Sequence, residues 1–155
     1  MKVHMRTVLF PILLNSACWA SSMFGTWKMD AAKSNLAGAT QPKSFTVRIE
    51  PHAKGEVFTL DRVDAQGRNT TSSTVLYLDG KPRDLELPGC AGTQSSRRLD
   101  SRTVEILRNC GSGESMRFVR RLTQPKELVL EITEQRPDGS RLERRLVLEK
   151  ESGVQ

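Results

Sequence analysis

Few side chains in this sequence have the types and spacing that chemistry requires. His52 is the one histidine beyond the first 20 residues, and it stands in the polar turn Pro51-His52-Ala53-Lys54-Gly55. One imidazole cannot hold a metal that needs three or four ligands. Asp61 and Asp64 are close enough in sequence for acid–base work, but they flank a turn and face water. No Gly-x-Ser-x-Gly elbow occurs, and Gly111-Ser112-Gly113 is a hairpin turn without the following helix that a phosphate cradle needs. Catalytic residues, metal ligands and cofactors are therefore expected to be absent, and no enzymatic activity is expected.

The first 20 residues read as a leader. Lys2, His4 and Arg6 form a basic start, Val8 to Leu14 an apolar run, and Cys18-Trp19-Ala20 a small-residue end. That is the three-part pattern of a secretory signal peptide, and the run is too short to span a bilayer. Cleavage is placed after Ala20, which makes residues 21–155 the single mature domain. Lipid attachment at Cys18 is the alternative, with Asn15 standing where a lipobox usually has Leu. The destination is the periplasm or the exterior, and no other stretch is apolar enough to be a transmembrane segment.

Two cysteines then remain, Cys90 and Cys110. An even pair in an exported protein reads as a disulfide. Leu99-Asp100-Ser101-Arg102 looks like a hairpin tip about which residues whose numbers sum to 200 lie opposite, which would set Cys90 against Cys110. Closing such a loop is worth roughly 3 kcal/mol in the chain-entropy model, and it leaves no thiol nucleophile.

The formal charge of +6 falls to +4 once Lys2 and Arg6 are removed, 22 basic residues against 18 acidic. The charges are intermixed, as in Arg141-Leu142-Glu143-Arg144-Arg145, which is a solvated face and not a nucleic-acid patch. Aromatic residues are also too few for a base-stacking platform.

The elements that position these groups read as strands. Asp30 to Pro42 is rich in Ala, Ser, Gly and Asn and reads as a turn of helix or a loop. From Phe45 onward nine short segments follow, separated by Gly, Asp or Pro turns, ending with Met116 to Leu122, Leu128 to Glu134 and Arg141 to Glu149. Eight or nine such strands in a row make an all-β antiparallel up-and-down barrel, with Phe24-Gly25-Thr26-Trp27-Lys28 at its entry and Trp27 plugging one end. In the last hairpin a three-residue loop, Pro137-Asp138-Gly139, sets Leu130 opposite Leu146 and Glu131 opposite Arg145. A two-residue turn would mix the apolar and polar faces.

That register turns Arg144 inward opposite Ile132, and the same alternation turns Arg120 inward. A buried arginine needs a partner. Either Arg144 stacks on the Trp27 ring and closes the barrel end, or Arg144 or Arg120 meets the carboxylate of an amphiphilic ligand.

The chain resembles the lipocalin-like members of the calycin superfamily, and more closely the small exported bacterial proteins that carry a lipocalin-like domain. The matching residues are Gly25-Thr26-Trp27-Lys28, Pro42-Lys43-Ser44-Phe45-Thr46-Val47, Val63-Asp64-Ala65-Gln66-Gly67, Tyr77-Leu78-Asp79-Gly80-Lys81 and Pro137-Asp138-Gly139. The resemblance implies an eight-stranded barrel whose mouth accepts a small apolar molecule. It also implies a last-strand arginine over the tryptophan, a part for Arg144. Cys90 and Cys110 are not a fixed feature of that family. A small apolar or amphiphilic ligand is thus the expected partner, with Phe45, Val47, Phe58, Leu76, Phe118, Arg120, Leu130 and Arg144 as lumen candidates. The competing expectation is an envelope structural or interaction module whose barrel is filled by its own side chains.

Overall fold

The computed structural model describes residues 22–153, so the leader read over residues 1–20 lies outside the described part. Ten antiparallel strands follow one another: β1 Gly25–Asn35, β2 Ser44–His52, β3 Gly55–Val63, β4 Asn69–Leu76, β5 Arg83–Leu87, β6 Cys90–Asp100, β7 Thr103–Cys110, β8 Ser115–Gln124, β9 Glu127–Gln135 and β10 Arg141–Lys150. Their order in the sheet is β4-β3-β2-β1-β10-β9-β8-β7-β6-β5. The meander therefore wraps round until its first and last strands pair, and among the described residues a seam stays open between the edge strands β4 and β5. Among the described residues there is no helix.

The eight or nine strands expected are ten. The Trp27 segment is itself a full strand, and it continues through part of the stretch that composition reads as helix or loop. What carries β1 past Asp30 is side-chain chemistry. Asp30 Oδ1 accepts from the backbone N–H groups of Ala32 at 3.0 Å and Lys33 at 3.3 Å, holding a bulge. Beyond it Ser34 Oγ accepts from Val147 N at 2.9 Å in place of a ladder bond.

The last hairpin has the register expected of a three-residue loop, with Leu130 opposite Leu146, Glu131 opposite Arg145 and Arg144 opposite Ile132. Arg136 N and Gly139 N close the turn on Ser140 O and Arg136 O, and Gly139 takes φ of 85°, where a side chain would be strained.

The disulfide Cys90–Cys110 is present, but by a different register. Gly92, not Cys90, stands opposite Cys110, because β6 carries a bulge between Arg98 and Asp100 that takes Leu99 out of the pairing. Cys90 reaches Cys110 diagonally, with Cα atoms 4.9 Å apart. Gly92 permits the approach: a Cβ there would lie 1.9 Å from Asn109 O.

Side chains pointing inward fill the barrel. Trp27, Val47, Ile49, Leu76, Val104, Ile106, Leu128, Leu130 and Leu148 are wholly buried, and Phe58 nearly so. Trp27 is pinned at one end by Nε1 donating to Met23 O at 2.8 Å. The cation over its ring is Lys150, whose Nζ is 5.2 Å from the centroid, and not Arg144. Lys150 stands directly opposite Trp27 across β1 and β10. Arg144 is six residues earlier, roughly 20 Å along the strand, at the other end of the barrel.

Candidate functional site

That other end is the mouth. The β1–β2 loop folds over it, placing Leu36 and Pro42 against Met29 and Phe45 from the first two strands and Ile132 and Leu146 from the last two. The alternation of β2, β9 and β10 makes these side chains inward-facing, so the loop closes on an apolar floor. The space left between them is about 60 Å³, room for roughly two waters at liquid density.

Two guanidiniums border this floor, Arg62 and Arg144. Arg62 stands beside Phe45 in the β2–β3 register. Arg144 Nη2 donates to Glu134 Oε2 at 2.6 Å, and Arg136 Nε donates to the same carboxylate at 2.9 Å. One acid thus serves two cations. Arg144 Nε is buried with no hydrogen-bond partner. An unpaired buried donor on a cation costs about 1–3 kcal/mol, which an incoming acceptor would recover. The mouth therefore joins an apolar wall to an unspent cationic donor.

Deeper in the barrel the other inward arginine is already paired. Arg120 is wholly buried and its Nη2 donates to Glu56 Oε1, reaching across the lumen from β8 to β3. Its Nε and Nη1 have no partner, and its guanidinium lies 5.5 Å from the Phe58 ring centroid. Burial pulls the Arg120 pKa down from its ordinary value, with Glu56 opposing.

Of the lumen candidates read from sequence, Phe45 and Arg144 line the mouth. Val47, Phe58, Leu76, Phe118, Arg120 and Leu130 are brought together, buried, within the core. Met29, Leu36, Arg62 and Ile132 belong to the mouth and were not among the candidates. Arg62 was within reach of sequence reasoning: the two-residue turn Ala53-Lys54 fixes a register that puts Arg62 opposite Phe45. His52 lies in that exposed turn, its Nδ1 accepting from Lys54 N at 3.1 Å. Among the described residues no cluster of His, Cys, Asp or Glu could hold a metal.

No protein-family model matches the sequence, and no curated protein matches it. The fold is a nearly closed antiparallel barrel. It is similar to the crystal structure of wild-type fluorescent protein UnaG, with a TM-score of 0.53 and 17% identity over 83% of this chain and 97% of that one. A mutant of UnaG gives a TM-score of 0.54 and 15% identity over 84% of this chain and 96% of that one. Likeness at such identity speaks to architecture, and the site must be argued from its own residues.

Proposed function

We propose that this protein is an exported, non-catalytic barrel that binds a small amphiphilic molecule at its mouth, the molecule's anionic head meeting Arg144. The observation that carries the reading is the buried, unpartnered Arg144 Nε at the edge of an apolar floor. The calycin-type architecture supports small-molecule binding in general. The disulfide is compatible with a periplasmic or extracellular location, and among the described residues no helix is long and apolar enough to cross a membrane. The 60 Å³ now free cannot take a ligand of useful size, so the loop from Leu36 to Pro42 must move aside for the apolar tail. That movement exchanges one set of apolar contacts for another and costs little hydrophobic free energy.

A second reading has its own observation. The deep lumen is occupied by side chains, Arg120 and Phe58 among them, as an envelope interaction module that needs no ligand would have it. Calorimetric titration with decanoate and with decanol separates the two. Mouth binding gives decanoate a measurable affinity that Arg144→Leu lowers about tenfold or more, from loss of a charged hydrogen bond, while decanol is held equally by both proteins. Absence of binding for both ligands overturns the proposal and favours the interaction module.

A further inference from the structure

Among the described residues the sheet's two edge strands, β4 and β5, leave a seam between them, and a cleft of about 290 Å³ opens there. That is roughly ten waters' worth of liquid volume, far more than the mouth offers. It is separate from the mouth, which lies between β1, β2, β9 and β10.

Among the polar side chains that line the cleft are Thr74 from β4 and Gln94 and Ser96 from β6. Gln94 and Ser96 are more than nine-tenths buried. Each group has a protein donor on its oxygen. Arg108 Nε donates to Gln94 Oε1 at 2.8 Å. Because arginine has no acceptor, this contact fixes the amide with its nitrogen turned the other way. Gln94 Nε2 points to Thr74 Oγ1 at 3.4 Å, and Leu78 N donates to Ser96 Oγ at 3.0 Å. Each keeps a proton to donate, the second amide N–H of Gln94 and the O–H of Thr74 and of Ser96.

Behind Gln94 stands a cation with no counter-charge. Arg108 is 5% exposed, lies 4.9 Å from the Phe118 ring centroid, and forms no ion pair among the described residues. Burial pushes its pKa down to about 10. Its positive field acts through the Gln94 amide and strengthens the donors that face the cleft. Val75 and Leu85 supply apolar wall, and the charges at the border balance, Lys81 and Arg83 against Asp84 and Glu86, with Arg83 held by Asp79. With the border charges balanced, the neutral donors and the apolar wall set the preference, and a single carboxylate on a small apolar body suits both.

We propose that the β4–β5 seam is a binding site for a small organic monocarboxylate, held by the protons of Thr74, Gln94 and Ser96. Gln94 orients and polarises the site through Arg108, and Arg108 itself is a positioning residue.

The full chain is titrated calorimetrically with benzoate and with benzamide, its neutral isostere, and amide NMR shifts are followed with each. Benzoate is expected to bind at millimolar concentration or better, to shift Thr74, Gln94 and Ser96, and to outcompete benzamide at least tenfold. Gln94→Glu puts a carboxylate against Arg108 and in the anion's place, so binding is lost while the melting temperature holds or rises. That retained stability separates a lost site from a lost fold. Arg144→Leu leaves benzoate affinity unchanged, which keeps this site distinct from the mouth. Equal binding of benzoate and benzamide, undiminished benzoate binding by Gln94→Glu, shifts confined to the mouth, or no benzoate binding would each overturn the proposal.

Discussion

Arg120 and Glu56 form an ion pair buried inside the barrel. Both are essentially solvent-free, and the guanidinium keeps two donors without partners. Breaking such a pair leaves a bare buried charge, whereas replacing both members with apolar groups can be neutral or better. Glu56→Gln is expected to destabilise by about 3–5 kcal/mol in urea unfolding, and Arg120→Met with Glu56→Leu to recover most of that loss. A double mutant no more stable than Glu56→Gln would contradict the pairing. The inward aim of Arg120 was legible from the alternation Met116-Phe118-Arg120-Leu122. Its partner was not, because Glu56 lies 64 residues away and meets Arg120 only when the sheet curls. The same holds for Trp27: its burial could be read, but its partner Lys150 depended on which strand closes the barrel.

A titrating contact at this scale sits in the connector before β5. Arg83 donates to both Asp79 oxygens, at 2.8 and 2.7 Å. These bonds, helped by Lys81 N–H, hold the Asp79 pKa well below its ordinary 3.8. A carboxyl depressed by folding contributes stability that is complete above its unfolded value and is lost as pH falls towards its folded one. Thermal melting between neutral pH and strong acid should therefore show a decline below about pH 4 that Asp79→Asn makes shallower. An identical acid limb in both proteins would count against the contact.

Among the elements, β5 is the least secured. It has five residues, pairs only with β6, and faces the open seam on its other side. The Cys90–Cys110 bridge fastens the β5–β6 turn to the end of β7, and Leu85 and Leu87 pack against it. Ala at both cysteines should cost roughly 3 kcal/mol for a bridge separated by 20 residues. Hydrogen exchange should then quicken first in β5 and the start of β6. Uniform loss of protection across all strands would show that the bridge acts on the whole barrel instead. The existence of the crosslink could be read from two cysteines in an exported chain. Its diagonal geometry could not, since the bulge at Leu99 has no signature in an alternation that polar residues already blur. Asp30 likewise looked like the start of a loop, because its bulge-holding role appears only when β10 lies alongside.

The whole molecule is a barrel packed solid at one end and through its centre. The mouth and the seam lie where the apolar filling or the strand ladder gives out. The architecture followed from strand-length segments and turns, since each turn leaves a meander one way to continue. How tightly the lumen is filled did not follow, because inward residues define a cavity or a core according to barrel girth, which ten strands and their tilt decide. The filling limits where an apolar ligand can go. Amide and methyl NMR shifts on titration with decanoate test that limit most directly. The expected shifts cluster on Leu36, Phe45, Arg62, Ile132 and Arg144 and leave Trp27, Phe58 and Leu128 unmoved. Shifts centred on Trp27, Phe58 and Leu128 would mean that the core opens to take the ligand, and would contradict a barrel filled by its own side chains.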